Sequence, residues 1–211
     1  MAHGSESTLI PYDGVKKTEE GSDVKSHKFF SIIERTTEGR DIVVYINKAV
    51  VPDDVPVLSE LLRTATDKDS IQLFINCPGG EIYPTLQVLN AIEACKAKLS
   101  VVADGQVASA IALIFLAVKN RKVLDNSFFF IHYYSGMTVG KGNEQRSQVE
   151  FHDEFMKNLF RKYMSGFLTS EELGSIFEGK DFYFNAEQMR KRLKLLDSPS
   201  ITPKKTKKNK K

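Results

Sequence analysis

Short apolar runs alternate along this chain with stretches of helical length, and that rhythm carries most of the fold information. Ile42-Val-Val-Tyr-Ile46, Ile71-Gln-Leu-Phe-Ile75 and Leu99-Ser-Val-Val-Ala103 are β-branched or aromatic runs bounded by polar residues, which predicts buried strands. Between them, residues 54–66 and 82–97 have helical length, and Val57, Leu58, Leu61 and Leu62 form one apolar stripe at spacings of three and four. Strand, helix, strand, helix, strand calls for an α/β fold with a mostly parallel sheet and right-handed crossovers, whose strand C-termini gather any active site. A further helix is expected across Ser109 to Val118, then a strand at Ser127 to Ile131. A long amphipathic helix from Glu144 to Met164 should present Val149, Phe151, Phe155, Leu159 and Tyr163 mainly on one side. Ser170-Glu-Glu-Leu begins a short helix with an N-cap hydroxyl, and Asn185-Ala-Glu-Gln begins another with a capping signal.

The ends break the pattern. Residues 1–27 are polar apart from Leu9-Ile10 and read as a flexible arm; residues 28–198 read as one domain; residues 199–211 read as a disordered tail. Six lysines (Lys204, Lys205, Lys207, Lys208, Lys210 and Lys211) lie in that tail, so the formal charge of +3 becomes −3 once they are set aside. The folded body is therefore no basic nucleic-acid binder. The longest apolar run, Val107 to Val118, is shorter than the roughly 18 residues a membrane helix needs. No export signal is read at the N-terminus, and Cys77 and Cys95 have no CxxC partner, so free thiols and a cytoplasmic location are expected.

Two turns stand out because each follows a buried strand and opens into a helix. Adjacent glycines in Asn76-Cys77-Pro78-Gly79-Gly80 allow positive φ and close approach, and N–H groups at a helix start can receive a developing oxyanion or a phosphate. Gly105-Gln106-Val107-Ala108-Ser109-Ala110 surrounds a hydroxyl with small residues after a strand expected to end at Ala103, which suggests a tight corner exposing the serine. A serine needs a base. Among His3, His27, His132 and His152, only His132 ends a strand at the edge where a sheet delivers catalytic groups. The base needs a carboxylate, and spacing alone does not choose among Asp125, Asp153 and Asp181.

Residues 40–196 resemble the proteolytic subunit of the Clp protease, the caseinolytic (ClpP-like) serine peptidase family. The resemblance lies in Ile75-Asn-Cys-Pro-Gly-Gly, Gly105-Gln-Val-Ala-Ser and Phe130-Ile-His, in that order, and Lys180-Asp-Phe-Tyr-Phe-Asn-Ala-Glu is similar to the segment holding the family's aspartate. It implies a triad of Ser109, His132 and Asp181, an oxyanion hole from the N–H groups of Gly80 and Ala110, and no metal or cofactor. It also implies a ClpP/crotonase-type spiral of βαβ units with a protruding helical handle, heptameric rings paired into a double ring, polypeptide substrates and an AAA+ unfoldase partner. Several residues depart from the family's pattern: Cys77 replaces a serine, Tyr133-Tyr134 replace a polar residue and proline, Lys180 replaces an arginine that links rings, and Gln72 and Ala94 replace docking aromatics. Those last two put the partner in question. Three other readings of the same fold are a viral capsid-maturation protease, a catalytically inactive ring subunit and a crotonase-like acyl-CoA enzyme.

Overall fold

The computed structural model describes residues 23–26, 30–36, 39–53 and 55–197, so most of the arm and the lysine tail lie outside the described residues. Eight strands form one sheet: β1 (Asp23–Ser26), β2 (Phe30–Thr36), β3 (Arg40–Ile46), β4 (Ser70–Cys77), β5 (Lys98–Ala108), β6 (Asn120–Val123), β7 (Phe128–Ile131) and β8 (Phe182–Asn185). The helices are α1 (Val55–Thr64), α2 (Ile82–Ala94), α3 (Ala110–Ala117), α4 (Gly142–Met164), α5 (Ser170–Phe177) and α6 (Ala186–Asp197). The sheet runs β1-β2-β3-β4-β5-β7-β8, with β6 also on β5. Its centre, from β3 through β4 and β5 to β6 and β7, is parallel; β1–β2, β2–β3 and β7–β8 are antiparallel. The expected mostly parallel α/β sheet is what forms, with β1 falling inside the segment read as an arm.

The helices take their places through burial. On α1, Leu58 and Leu62 are buried one turn apart with Val55 and Ser59, while Val57 and Leu61 flank the core. Helix α3 is apolar all round and is buried from Ala110 to Leu116, as a helix without a polar face must be. Below β7, Phe115, Phe129, Phe167 and Phe184 make a chain of ring contacts with centroids 5.0, 5.3 and 5.5 Å apart. Arg192 covers its end, 4.3 Å over Phe184, while pairing with Glu172. This packing fixes the strand that leads to His132.

Two local readings change. The hydroxyl capping α5 belongs to Thr169, one residue before the expected Ser170, with Glu172 completing a capping box. Asn185 caps α6 as the sequence suggests, exchanging bonds with Gln188. On α4 the buried line is Met156, Phe160 and Met164; Phe155, Leu159 and Tyr163 only flank the core, and Val149 and Phe151 are exposed. The cause is position, because no residue of α4 before Met156 is buried.

Candidate active site

Strand β5 does not stop at Ala103. It runs on through Gly105–Ala108, because Gly105 has no side chain to strike Asn76, whose Oδ1 accepts from the Gln106 N–H at 3.0 Å. This extension pairs with β7, Gln106 opposite Phe128 and Ala108 opposite Phe130, and Ser109 N–H then donates to the Phe130 carbonyl at 2.8 Å. The corner is confined to Ser109, which at φ 57° is the one described non-glycine residue with positive φ. Such backbone is costly and gathers at functional sites.

The glycine turn lies directly over this corner. Val50 N–H donates to the Gly79 carbonyl at 2.7 Å and Glu81 N–H to the Val50 carbonyl at 3.0 Å, so Val50 bridges across Gly80. A side chain at Gly80 would sit 2.2 Å from the Val50 oxygen, and one at Gly79 would sit 2.7 Å from Ser109 Cβ. Between these bonds the N–H of Gly80 is left without a backbone acceptor among the described residues, as is that of Ala110 at the start of α3. Cys77 stays out of the chemistry. Its buried thiol donates to the Lys48 carbonyl at 3.0 Å, and burial pushes its pKa up to about 11.

His132 leaves the end of β7 with Nε2 2.7 Å from Ser109 Oγ. Its ring stacks on Phe130 at 5.1 Å, and Phe130 stacks on Tyr183 of β8 at 4.5 Å. The three candidate carboxylates separate clearly. Asp125 pairs with Arg190 at 2.9 Å, and Asp153 is held by Lys157 at 2.6 Å with Tyr133 beside it. Asp181 is exposed and makes no hydrogen bond to His132 among the described residues. The β7–β8 ladder ends with Ile131 opposite Phe182, so one more step in the same register sets Asp181 opposite His132. Both residues lie beyond the last ladder pair, and no contact joins them among the described residues.

A cavity of about 460 Å³ opens beside Ser109 and His132, walled by Val50, Ile82, Leu113, Tyr134, Met156 and Phe160, with Gly80 and Ala110 on its rim. The spacing of Met156 and Phe160, one helical turn apart, was the available signal for this wall; the pattern of exposed aromatics on α4 obscured it. Gln72 lies on β4 two residues before Phe74, which stacks on Tyr45 at 5.1 Å, an aromatic pair the sequence reading passed over. Ala94 ends α2 and Lys180 is exposed over the Phe182 ring. Among the described residues no group of His, Cys, Asp and Glu could hold a metal, and no helix is long and apolar enough to cross a membrane.

A serine hydroxyl bonded to an imidazole beside a cavity that Gly80 and Ala110 also line is equipment for acyl transfer through a covalent intermediate. The profile of the family described as Clp protease matches residues 24–191. The chain is 30% identical to the ATP-dependent Clp protease proteolytic subunit of Carsonella ruddii, over 80% of this chain and 88% of that one. It is 28% identical to subunit 2 of Pseudomonas aeruginosa, over 82% and 87%, and 30% identical to subunit 3 of Rhizobium meliloti, over 64% and 70%. The chain belongs to the Clp protease family, and its activity is that of a Clp-type peptidase.

Proposed function

We propose that this chain is a serine endopeptidase whose nucleophile is Ser109, and the 2.7 Å contact between Ser109 Oγ and His132 Nε2 carries the reading. His132 takes the hydroxyl proton as Oγ attacks a peptide carbonyl. The N–H groups of Gly80 and Ala110 receive the oxyanion; one such donor is commonly worth about 10²–10³ in turnover. His132 then gives its proton to the leaving amine, and water, deprotonated by the same imidazole, releases the acyl group. Asp181 turns from solvent to accept the Nδ1–H of His132, fixing the tautomer and steadying the imidazolium. The mainly apolar wall of the cavity favours an uncharged side chain at the cleaved residue.

The working form we assign is a cytoplasmic double ring of heptamers that encloses Ser109, fed by an AAA+ unfoldase. The printed name of the relatives as ATP-dependent proteolytic subunits supports the partner. Gln72 and Ala94 weaken that docking, because aromatic anchors usually dominate such contacts. Labelling with a fluorophosphonate, followed by mass spectrometry of the modified peptide, tests the chemistry. Modification of Ser109, lost in Ser109→Ala and strongly slowed in His132→Ala, is expected. An unlabelled Ser109 in a protein that still cleaves peptides would refute the assignment, and an unlabelled, inactive protein would favour the inactive-subunit or crotonase-like reading.

A further inference from the structure

Past Ile131 the chain leaves the sheet with little to hold it. From Tyr133 to Val139 the hydrogen bonds found among the described residues all involve the Tyr133 hydroxyl, which lies 2.9 Å from Asp153 Oδ1 and 3.1 Å from the Asp153 carbonyl oxygen. The Tyr133 ring packs edge-on to Phe160 at 5.7 Å and against Phe177 at 5.4 Å. Asp153 is itself fixed, since Lys157 one turn further along α4 donates to its other oxygen at 2.6 Å. Lys157, and after it Tyr133, hold the Asp153 carboxyl below the usual carboxylate range, so the hydroxyl donates to an ionised acceptor, the stronger kind of hydrogen bond.

His132 is the residue just before this anchor. Alternation along an extended chain sends Tyr133 to α4 and His132 to Ser109, which is where their contacts lie. Tyr133 is the nearest hydrogen-bonded side chain downstream of His132.

We propose that Tyr133 is a positioning residue, whose hydroxyl, tied to Asp153 on α4, holds the His132 imidazole within hydrogen-bond reach of Ser109. The inference rests on the serine-peptidase reading. It also means that the seating of α4 sets the alignment of the reacting pair.

Tyr133→Phe removes one oxygen and keeps the ring packing. Its turnover number on a fluorogenic peptide should fall about tenfold, since a misplacement of about 1 Å can cost up to 10². KM should change less than turnover, because Tyr133→Phe keeps the ring and removes only a hydroxyl that is bonded to Asp153 on α4. The rate of Ser109 modification by a fluorophosphonate should fall by the same factor. Asp153→Ala should match Tyr133→Phe, the double variant should be no worse than either, and Asp153→Asn, which keeps an acceptor oxygen, should recover most of the loss. Turnover within about twofold of wild type in Tyr133→Phe, a loss that Asp153→Ala does not share, or a rise in KM alone overturns the inference. If wild-type Ser109 takes no label, the serine reading falls and this inference with it; if it labels equally in both proteins, this inference falls alone.

Discussion

A methyl group on Gly79 would press on the nucleophile's corner. Its Cβ would lie 2.7 Å from both the Ala108 carbonyl oxygen and Ser109 Cβ, and 3.3 Å from the Ala110 nitrogen. Carbon atoms settle at about 3.5–4.0 Å, so the turn and the corner must part by roughly 0.8 Å or more. Ser109 Oγ and His132 Nε2 are now 2.7 Å apart, and a shift of that size carries them beyond useful range. The same residue has φ 109°, a conformation that costs an alanine about 1–3 kcal/mol. Gly79→Ala should therefore lower turnover about 10²-fold and lower the melting temperature by roughly 2–10 °C. Gly174→Ala is the matched control, since a methyl there meets nothing within 4 Å inside α5, and it should gain about 0.5–1 kcal/mol with unchanged activity. Peptide turnover, fluorophosphonate labelling and thermal melting of the two variants decide the matter. Gly79→Ala with turnover within about threefold of wild type would show that the turn does not set the site.

Asp69 is buried and bonded to Arg40 and Thr66, first by the Arg40 guanidinium, and its carboxyl is held far below the ordinary range. A depressed folded pKa contributes stability that is complete above the unfolded value near about 4 and is lost as pH falls below it; Asp69→Asn should cost about 1.5–3 kcal/mol at pH 7 by urea melt, and less at pH 3. Equal losses at both pH values would exclude this origin. Phe151 is 64% exposed in the single chain, and if α4 is the helical handle that joins subunits, Phe151→Asp should leave subunit melting unchanged but lower the assembled mass in analytical ultracentrifugation; an unaltered sedimentation coefficient would exclude that role for α4. Cys77 should resist iodoacetamide at about pH 8 until the protein unfolds, because thiolate is scarce and access is blocked; mass spectrometry of native and unfolded samples reads this directly.

The central strands were legible because β-branched runs between polar borders have few other fates; α1 followed from its apolar spacing, and α2 from a stretch of helical length between two strands. Strands β6 and β8 were not, since Asn120–Val123 and Phe182–Asn185 are short and join the sheet only through partners distant in sequence. The long strand β5 was cut short in the reading because its apolar run stops at Ala103; the Asn76 side chain that accepts from Gln106 lies thirty residues away and leaves no local trace. The Ser109–His132 pairing was inferred from strand ends and motif order, and the two side chains do meet. Asp181 could not be chosen from spacing because its relation to His132 is a matter of cross-strand register. The anchor on Tyr133 was invisible for a similar reason, depending on which face of α4 carries Asp153.

Ser109 occupies backbone that a glycine would occupy more cheaply. At φ 57° and ψ −132° its Cβ is a burden, and Ser109→Gly would relieve it at once. A chain under selection for stability alone would drift to glycine at this position, and a ring subunit freed from chemistry would have every reason to follow. The hydroxyl is thus kept against a thermodynamic gradient, by a sheet that holds the corner through the Phe130 carbonyl and a glycine turn that leaves it room.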